Sequence, residues 1–388
     1  MQKTEILLFC LLLLLGTMLF AQTPTSNLRA ISIEGDTDFT GFDLLEISDQ
    51  QLFVLAEDWH NIRSVPRATI KVLKYLHQHG NVRILAIEQG LSAAHMINKY
   101  LATGDSLILK QIARNTMFWG RENQVFFRDL LAFNKTLPEQ SRIIVRSIDI
   151  EYKMESAIFV INDLIRDKAI PTSLAETIGN FKKLFDETKV HREQFDGLSV
   201  MFYYDREMVT NLVRYTLYDI ENQTKTYEEF FGDDFIQFAT MILDMDDGLV
   251  FDYTNPNTNY KFRDRLIYGK FTDLFESHPH KGILCVIGER HATKGSSIHN
   301  LNTMTSSPMQ RKVMNIRIAS LHNKSFTSGD LRRINFTFPD HLKINSATLI
   351  KHDPNDPTFK SKEDFQYTLF INESGSLTPF ENVYRGEN

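Results

Sequence analysis

Four short apolar runs, at residues 52–56, 82–87, 143–150 and 283–287, punctuate the chain, and each leads into polar, mostly charged residues. Runs of that length bounded by charge predict strands buried on both faces. Helical spacing fills the gaps between the first three. Ser64 and Pro66 supply a capping residue and a first-turn proline. Ile70, Leu73 and Leu76 follow at helical intervals, and Gly80 closes the helix. A second helix is predicted over about 93–101, stopping at Gly104. A third covers about 123–134, with Val125, Phe126, Leu130 and Phe133 as its apolar stripe. Strand, helix, strand in this order predicts parallel pairing.

Residues 154–277 read as mostly helical, with amphipathic stretches such as 157–165 and 206–218. They separate the third run from the fourth, which predicts a helical cap inserted over the sheet. Beyond Gly295, alternating runs at 335–338, 347–351 and 366–371 predict a β-rich C-terminal segment. The expected fold class is therefore α/β: a parallel-core sheet flanked by helices, with a helical cap insertion at about 154–277. No internal repeat is present.

The N-terminus changes the picture from a plain globular chain to an exported one. Lys3 precedes an apolar stretch over 6–20, short for a bilayer span, and Ala21 offers a small residue for cleavage. A signal peptide over 1–21 is expected, then a single domain over 22–388 and a periplasmic or secreted location; an uncleaved anchor is the alternative. With 388 residues, 42% of them hydrophobic and 24% charged, the composition is that of an ordinary globular protein. A net charge of −6 without a long basic run argues against nucleic acid or an anionic membrane surface as partner. No later segment is apolar enough to span a membrane, and the sequence says nothing of oligomeric state. Cys10 follows bulky Phe9 too early for lipid attachment. Cys285, inside an apolar run, reads as a core residue.

In open parallel sheets, sites form at the carboxyl ends of strands. Here those ends carry Glu57, Asp58, Trp59 and His60; Glu88; Asp149 and Glu151; and Glu289, Arg290 and His291. Charge beside a core is unfavourable unless it pairs, binds a metal or faces a cleft. Polar residues flank nearly every strand, so Asp58, Glu151 and Arg290 read as solvated loop residues or caps. Asp149 and Glu151 fall on one side of an extended chain, and only one need face the site. His77, His79, His95, His278 and His280 read as surface residues without a role. His60, Glu88 and His291 stand apart, because three separate strands deliver them. Two histidines and a glutamate suit general acid/base chemistry. The same residues suit a divalent metal, and spacing does not decide between the two. There is no Gly-x-Ser-x-Gly elbow, phosphate loop, dinucleotide fingerprint, helical zinc-protease pattern or paired-cysteine zinc pattern.

The stretch Leu55-Ala56-Glu57-Asp58-Trp59-His60 resembles the Gly-Glu-x-x-His motif of the erythromycin esterase family, a neighbour of the haem-binding-uptake and Tiki-like proteins. The spacing from His60 to Glu88 also resembles the family's. So, in order, do Asn98-Lys99-Tyr100-Leu101 with Gly104, Trp119 with the helix after it, and Ser147-Ile148-Asp149-Ile150. The series continues with Asp205-Arg206 in a helix, Gly288 to Gly295 around the second histidine, and the strand and tail over 365–380. The resemblance implies a metal-independent hydrolase acting on a small-molecule ester or lactone, with no cofactor. His60 would be the general base, Glu57 and Glu88 would orient it or the water, and His291 would hold the substrate or its oxyanion. Trp119, Asp149, Arg206 and Glu289 would bind substrate.

Three departures stand out. Ala56 replaces the usual glycine, Thr69 stands where the family places an arginine (Arg67 is the substitute read here), and the cap is poorly matched. Two other readings stay open. One is a Tiki-like metallohydrolase or protease with His60, His291, Glu57 and Glu88 as ligands. The other is a haem or small-molecule binding protein using Met201, Tyr203, Tyr204 and Met208, although tyrosines and methionines at helical spacing usually pack a core.

Overall fold

The computed structural model describes residues 27–33, 37–57, 60, 62–116, 118, 120–151, 153–194, 206–251, 256–320, 346–352, 365–371 and 377. The signal segment, Asp58, Trp119, Met201, Tyr203, Tyr204, Asp205 and the strand expected at 335–338 lie outside them.

In chain order the strands are β1 (Leu28–Ser32), β2 (Leu52–Glu57), β3 (Val82–Ile87), β4 (Ile144–Ser147), β5 (Gly282–Gly288), β6 (Val313–Ser320), β7 (Ser346–Lys351) and β8 (Tyr367–Ile371). The helices are α1 (Val65–His79), α2 (Leu91–Thr103), α3 (Ser106–Asn115), α4 (Arg121–Thr136), α5 (Met154–Ile165), α6 (Ala175–Gln194), α7 (Arg206–Phe231), α8 (Phe235–Val250), α9 (Pro256–Ser277) and α10 (Ser297–Thr303). One sheet runs β1-β7-β8-β6-β2-β5-β3-β4. Its pairings from β8 to β4 are parallel, and β7 is antiparallel to both β1 and β8. This is the mixed α/β architecture that the strand-helix alternation predicts.

The apolar runs are continuous because two cores share them. Phe53, Leu55, Leu85 and Leu284 face one core, together with Leu73 of α1, Ile97 of α2 and Met241 of α8. Leu52, Val54, Ile84, Ala86, Ile283 and Cys285 face the other, against Ile267 and Phe271 of α9 and Ile298 of α10. Each such valine, leucine, isoleucine, methionine or phenylalanine contributes roughly 1.5–3 kcal/mol by leaving water. The helical stretch expected as one cap over 154–277 is thus divided, because α9 closes the second face of the sheet. Cys285 is buried in that core, and burial pushes its thiol pKa up.

Turn chemistry follows the sequence in part. Gly104 ends α2 with φ 72°, a left-handed cap that favours glycine. Gly80 ends α1 with φ −114°; a Cβ there would lie 3.2 Å from both the Leu76 carbonyl and the Phe53 ring. The third run pairs only over Ile144–Ser147, because the Ser147 hydroxyl donates to the Gln89 carbonyl at 2.7 Å as the chain turns out of the sheet. His77, expected on the surface, is buried, with ring Nε2 2.8 Å from the Ser141 carbonyl. No described helix is long and apolar enough to cross a membrane.

Candidate active site

The order β6-β2-β5-β3 sets four strand ends side by side, and Glu57 lies in register with Gly288. The Glu88 carboxylate lies at their centre. Its Oε2 accepts the Gly288 N–H at 2.6 Å, and its Oε1 accepts Arg263 Nη2 at 2.6 Å and lies 3.4 Å from His291 Nε2. Burial alone would raise its pKa. His291 and Arg263 outweigh that and hold the carboxyl well below the usual carboxylate range.

His60 sits at the open side, its side chain 55% exposed, with Nδ1 3.4 Å from Glu57 Oε2. Its Nε2 turns toward Gly288, where a Cβ would come within 3.0 Å of Nε2 and 3.5 Å of Glu88 Oε2. Glycine therefore lets the imidazole and the carboxylate converge on the same point of β5. Glu57, against the loss from burial, raises the His60 pKa to about 9.

His291 is buried. Its Nδ1 lies 2.6 Å from Asp264 Oδ1, and the Ser296 hydroxyl donates to its carbonyl at 2.6 Å. Desolvation would lower its pKa, but Asp264 and Glu88 carry it up to about 9. Arg263 completes the array. Its Nε donates to Asp149 Oδ1 at 2.8 Å, and Nη2 bridges Asp149 Oδ2 and Glu88. Charges of alternating sign thus run from Asp264 through His291, Glu88 and Arg263 to Asp149.

The other expected site residues differ in their surroundings. Asp149 is fully buried, and its carboxylate accepts from Arg263. Both ring nitrogens of His291 face carboxylates within the protein, Glu88 and Asp264. Glu289 accepts Arg317 Nε at 2.8 Å. Arg67 is exposed on the first turn of α1, and the arginine of the cluster is Arg263. Arg206 is elsewhere: its Nη2 donates to the Leu249 carbonyl at 2.5 Å and so caps the end of α8. The sequence signal for Arg263 and Asp264 is faint, a charged pair within the helix Pro256–Ser277, which has no clear apolar stripe.

Glu151, expected in solvent, is also buried. Its carboxylate accepts the Ser92 N–H at 3.0 Å, and a Cβ on Gly90 would lie 2.4 Å from it. Burial raises its pKa to about 8. The folded chain therefore keeps a proton that the unfolded chain releases near 4.5, and stability falls as pH rises from there to about 8. Glu151→Gln cannot ionise yet retains the accepting oxygen. It is expected to unfold later than the parent at pH 8, by on the order of 2–3 kcal/mol, and at the same point near pH 4. Thermal melts at both pH values check this; an unchanged or lower Tm at pH 8 counts against it.

The cluster does not suit a metal. Both oxygens of Glu88 and both ring nitrogens of His291 are directed at protein partners. Among the described residues no group of three His, Cys, Asp or Glu is arranged as a coordination set.

No protein-family model matches the chain. No curated protein matches it significantly by sequence. Solved structures do. A histidine-to-asparagine mutant of the erythromycin esterase EreC, in its open conformation, superposes with TM-score 0.61 at 12% identity, over 90% of this chain and 98% of that one. A Bacillus cereus protein gives TM-score 0.57 at 13% identity, over 91% and 97%. A succinoglycan biosynthesis protein gives TM-score 0.63 at 12% identity, over 91% and 96%. Over nearly its whole length, the chain has the fold of an erythromycin esterase.

Proposed function

We propose that this protein is an exported hydrolase that cleaves a carboxylic ester or lactone by water attack assisted by His60. The observation that carries this reading is the pairing of an accessible imidazole with a buried carboxylate. His60 Nε2 and Glu88 Oε2 converge on Gly288, while Glu57 stands at Nδ1 and fixes the ring. In this reading Nε2 takes a proton from water as its oxygen bonds to the carbonyl carbon. The imidazolium returns that proton to the departing alkoxide as the C–O bond breaks. The esterase fold supports a hydrolase of this kind.

The test is hydrolysis of a panel of simple esters and lactones by the mature chain from Gln22, followed over pH. A base must be neutral, and His60 is held protonated up to about 9. Turnover is therefore expected to rise about tenfold per pH unit below that value and to level off near it. A rate that is flat from pH 6 to 9, or absent with every ester and lactone, removes the mechanism. Export rests on the leader at 1–21, and N-terminal sequencing of the protein recovered outside the cytoplasm tests it.

A further inference from the structure

Among the described residues, the carboxylates around His60 are matched. Glu57 faces His60, Glu88 and Asp149 share Arg263, Asp264 holds His291, and Glu289 holds Arg317. Arg290 is exposed, and among the described residues it pairs with no carboxylate. It is nonetheless fixed in place. Its guanidinium carbon lies 3.5 Å from the centroid of the Tyr260 ring, close enough to stack. Tyr260 is itself braced, edge-on to Phe251 at 6.3 Å and 6.3 Å from the His291 ring. The neighbours of Arg290 in the turn Glu289–Ala292 are tied down as well, Glu289 by Arg317 and His291 by Asp264 and Glu88. A stacked guanidinium presents its N–H fork with little rotamer freedom left to lose, which suits a planar oxyanion held by two hydrogen bonds.

We propose that Arg290, laid on Tyr260 beside His291, binds an anionic carboxylate or phosphate group carried by the substrate. The ester part of this inference rests on the hydrolase reading above; the anion subsite does not. Tyr260 is then a positioning residue, and the substrate class narrows to acids that are also esters or lactones.

Two measurements on the mature chain test the subsite. The first compares mono-4-nitrophenyl glutarate with 4-nitrophenyl butyrate. The parent is expected to prefer the anionic ester in kcat/KM, mainly through KM, and Arg290→Gln to shrink that preference about tenfold. An identical ratio in parent and variant overturns the proposal. The second is calorimetric titration with glutarate and with inorganic phosphate, which needs no turnover. Binding by the parent, weakened about tenfold in Arg290→Gln, supports the subsite even if neither ester is cleaved, and the better ligand identifies the anion. Failure of the parent to bind either anion overturns the subsite even if the neutral ester is hydrolysed.

Discussion

Replacing His60 with asparagine is expected to reduce ester turnover by about 10²- to 10⁴-fold, the usual contribution of a positioned general base. The fold should survive, because the ring is 55% exposed and lies outside both apolar cores. Asparagine retains a polar head near Glu57 but cannot carry a proton near neutral pH. The loss should therefore fall on kcat more than on KM, and the alkaline rise in rate should disappear with it. Initial rates at pH 7 and 9 on an ester that the parent cleaves decide the matter. A variant with parental kcat would mean that the water is activated elsewhere.

The second large effect is on stability. Arg263 stands between two buried carboxylates, Glu88 and Asp149, whose side chains are 11% and 0% exposed. Arg263→Met keeps the length and removes the charge, leaving two neighbouring anions out of water. A destabilisation of about 3–5 kcal/mol is expected, a large share of the stability of an ordinary domain. Adding Asp149→Asn should recover part of the loss, since the orphaned charge is the cause. Urea unfolding at neutral pH measures both steps. A single-variant loss below about 1 kcal/mol would show that water reaches this array. The outcome also bears on chemistry, because a Glu88 carboxylate without its counter-charge shifts toward the protonated form.

The strands that carry Glu57, Glu88 and His291 were legible because each is an apolar run ending abruptly in charge, and burial on both faces demands that pattern. β6 was not legible. Asn315 and Arg317 interrupt its apolar run, and a partner distant in sequence makes the arginine tolerable: Glu289 Oε2 accepts Arg317 Nε at 2.8 Å. Arg263 and Asp264 were missed for a related reason. They lie far from the strands in sequence, and nothing local distinguishes an inward charged pair from a solvated one. Asp149 and Glu151 were legible as charges but their partners were not, since these belong to α9 and to the first turn of α2. The strand ends alone singled out both histidines, whereas the arginine expected was Arg67, which is exposed on α1, while Arg263 pairs with Glu88 and Asp149.

The central position of β2 bears on how the chain is made. Both of its neighbours in the sheet, β5 and β6, lie near the far end of the polypeptide. While the first half emerges from a ribosome, this fully buried strand has neither neighbour to pair with. Glu88 and Asp149 likewise have no arginine until α9 has been synthesised. Contacts of such long sequence separation fold slowly and leave apolar surface open to wrong partners. Under the export proposed above that delay is of use, because β5 and β6, which lock β2 into the sheet, come late in the chain.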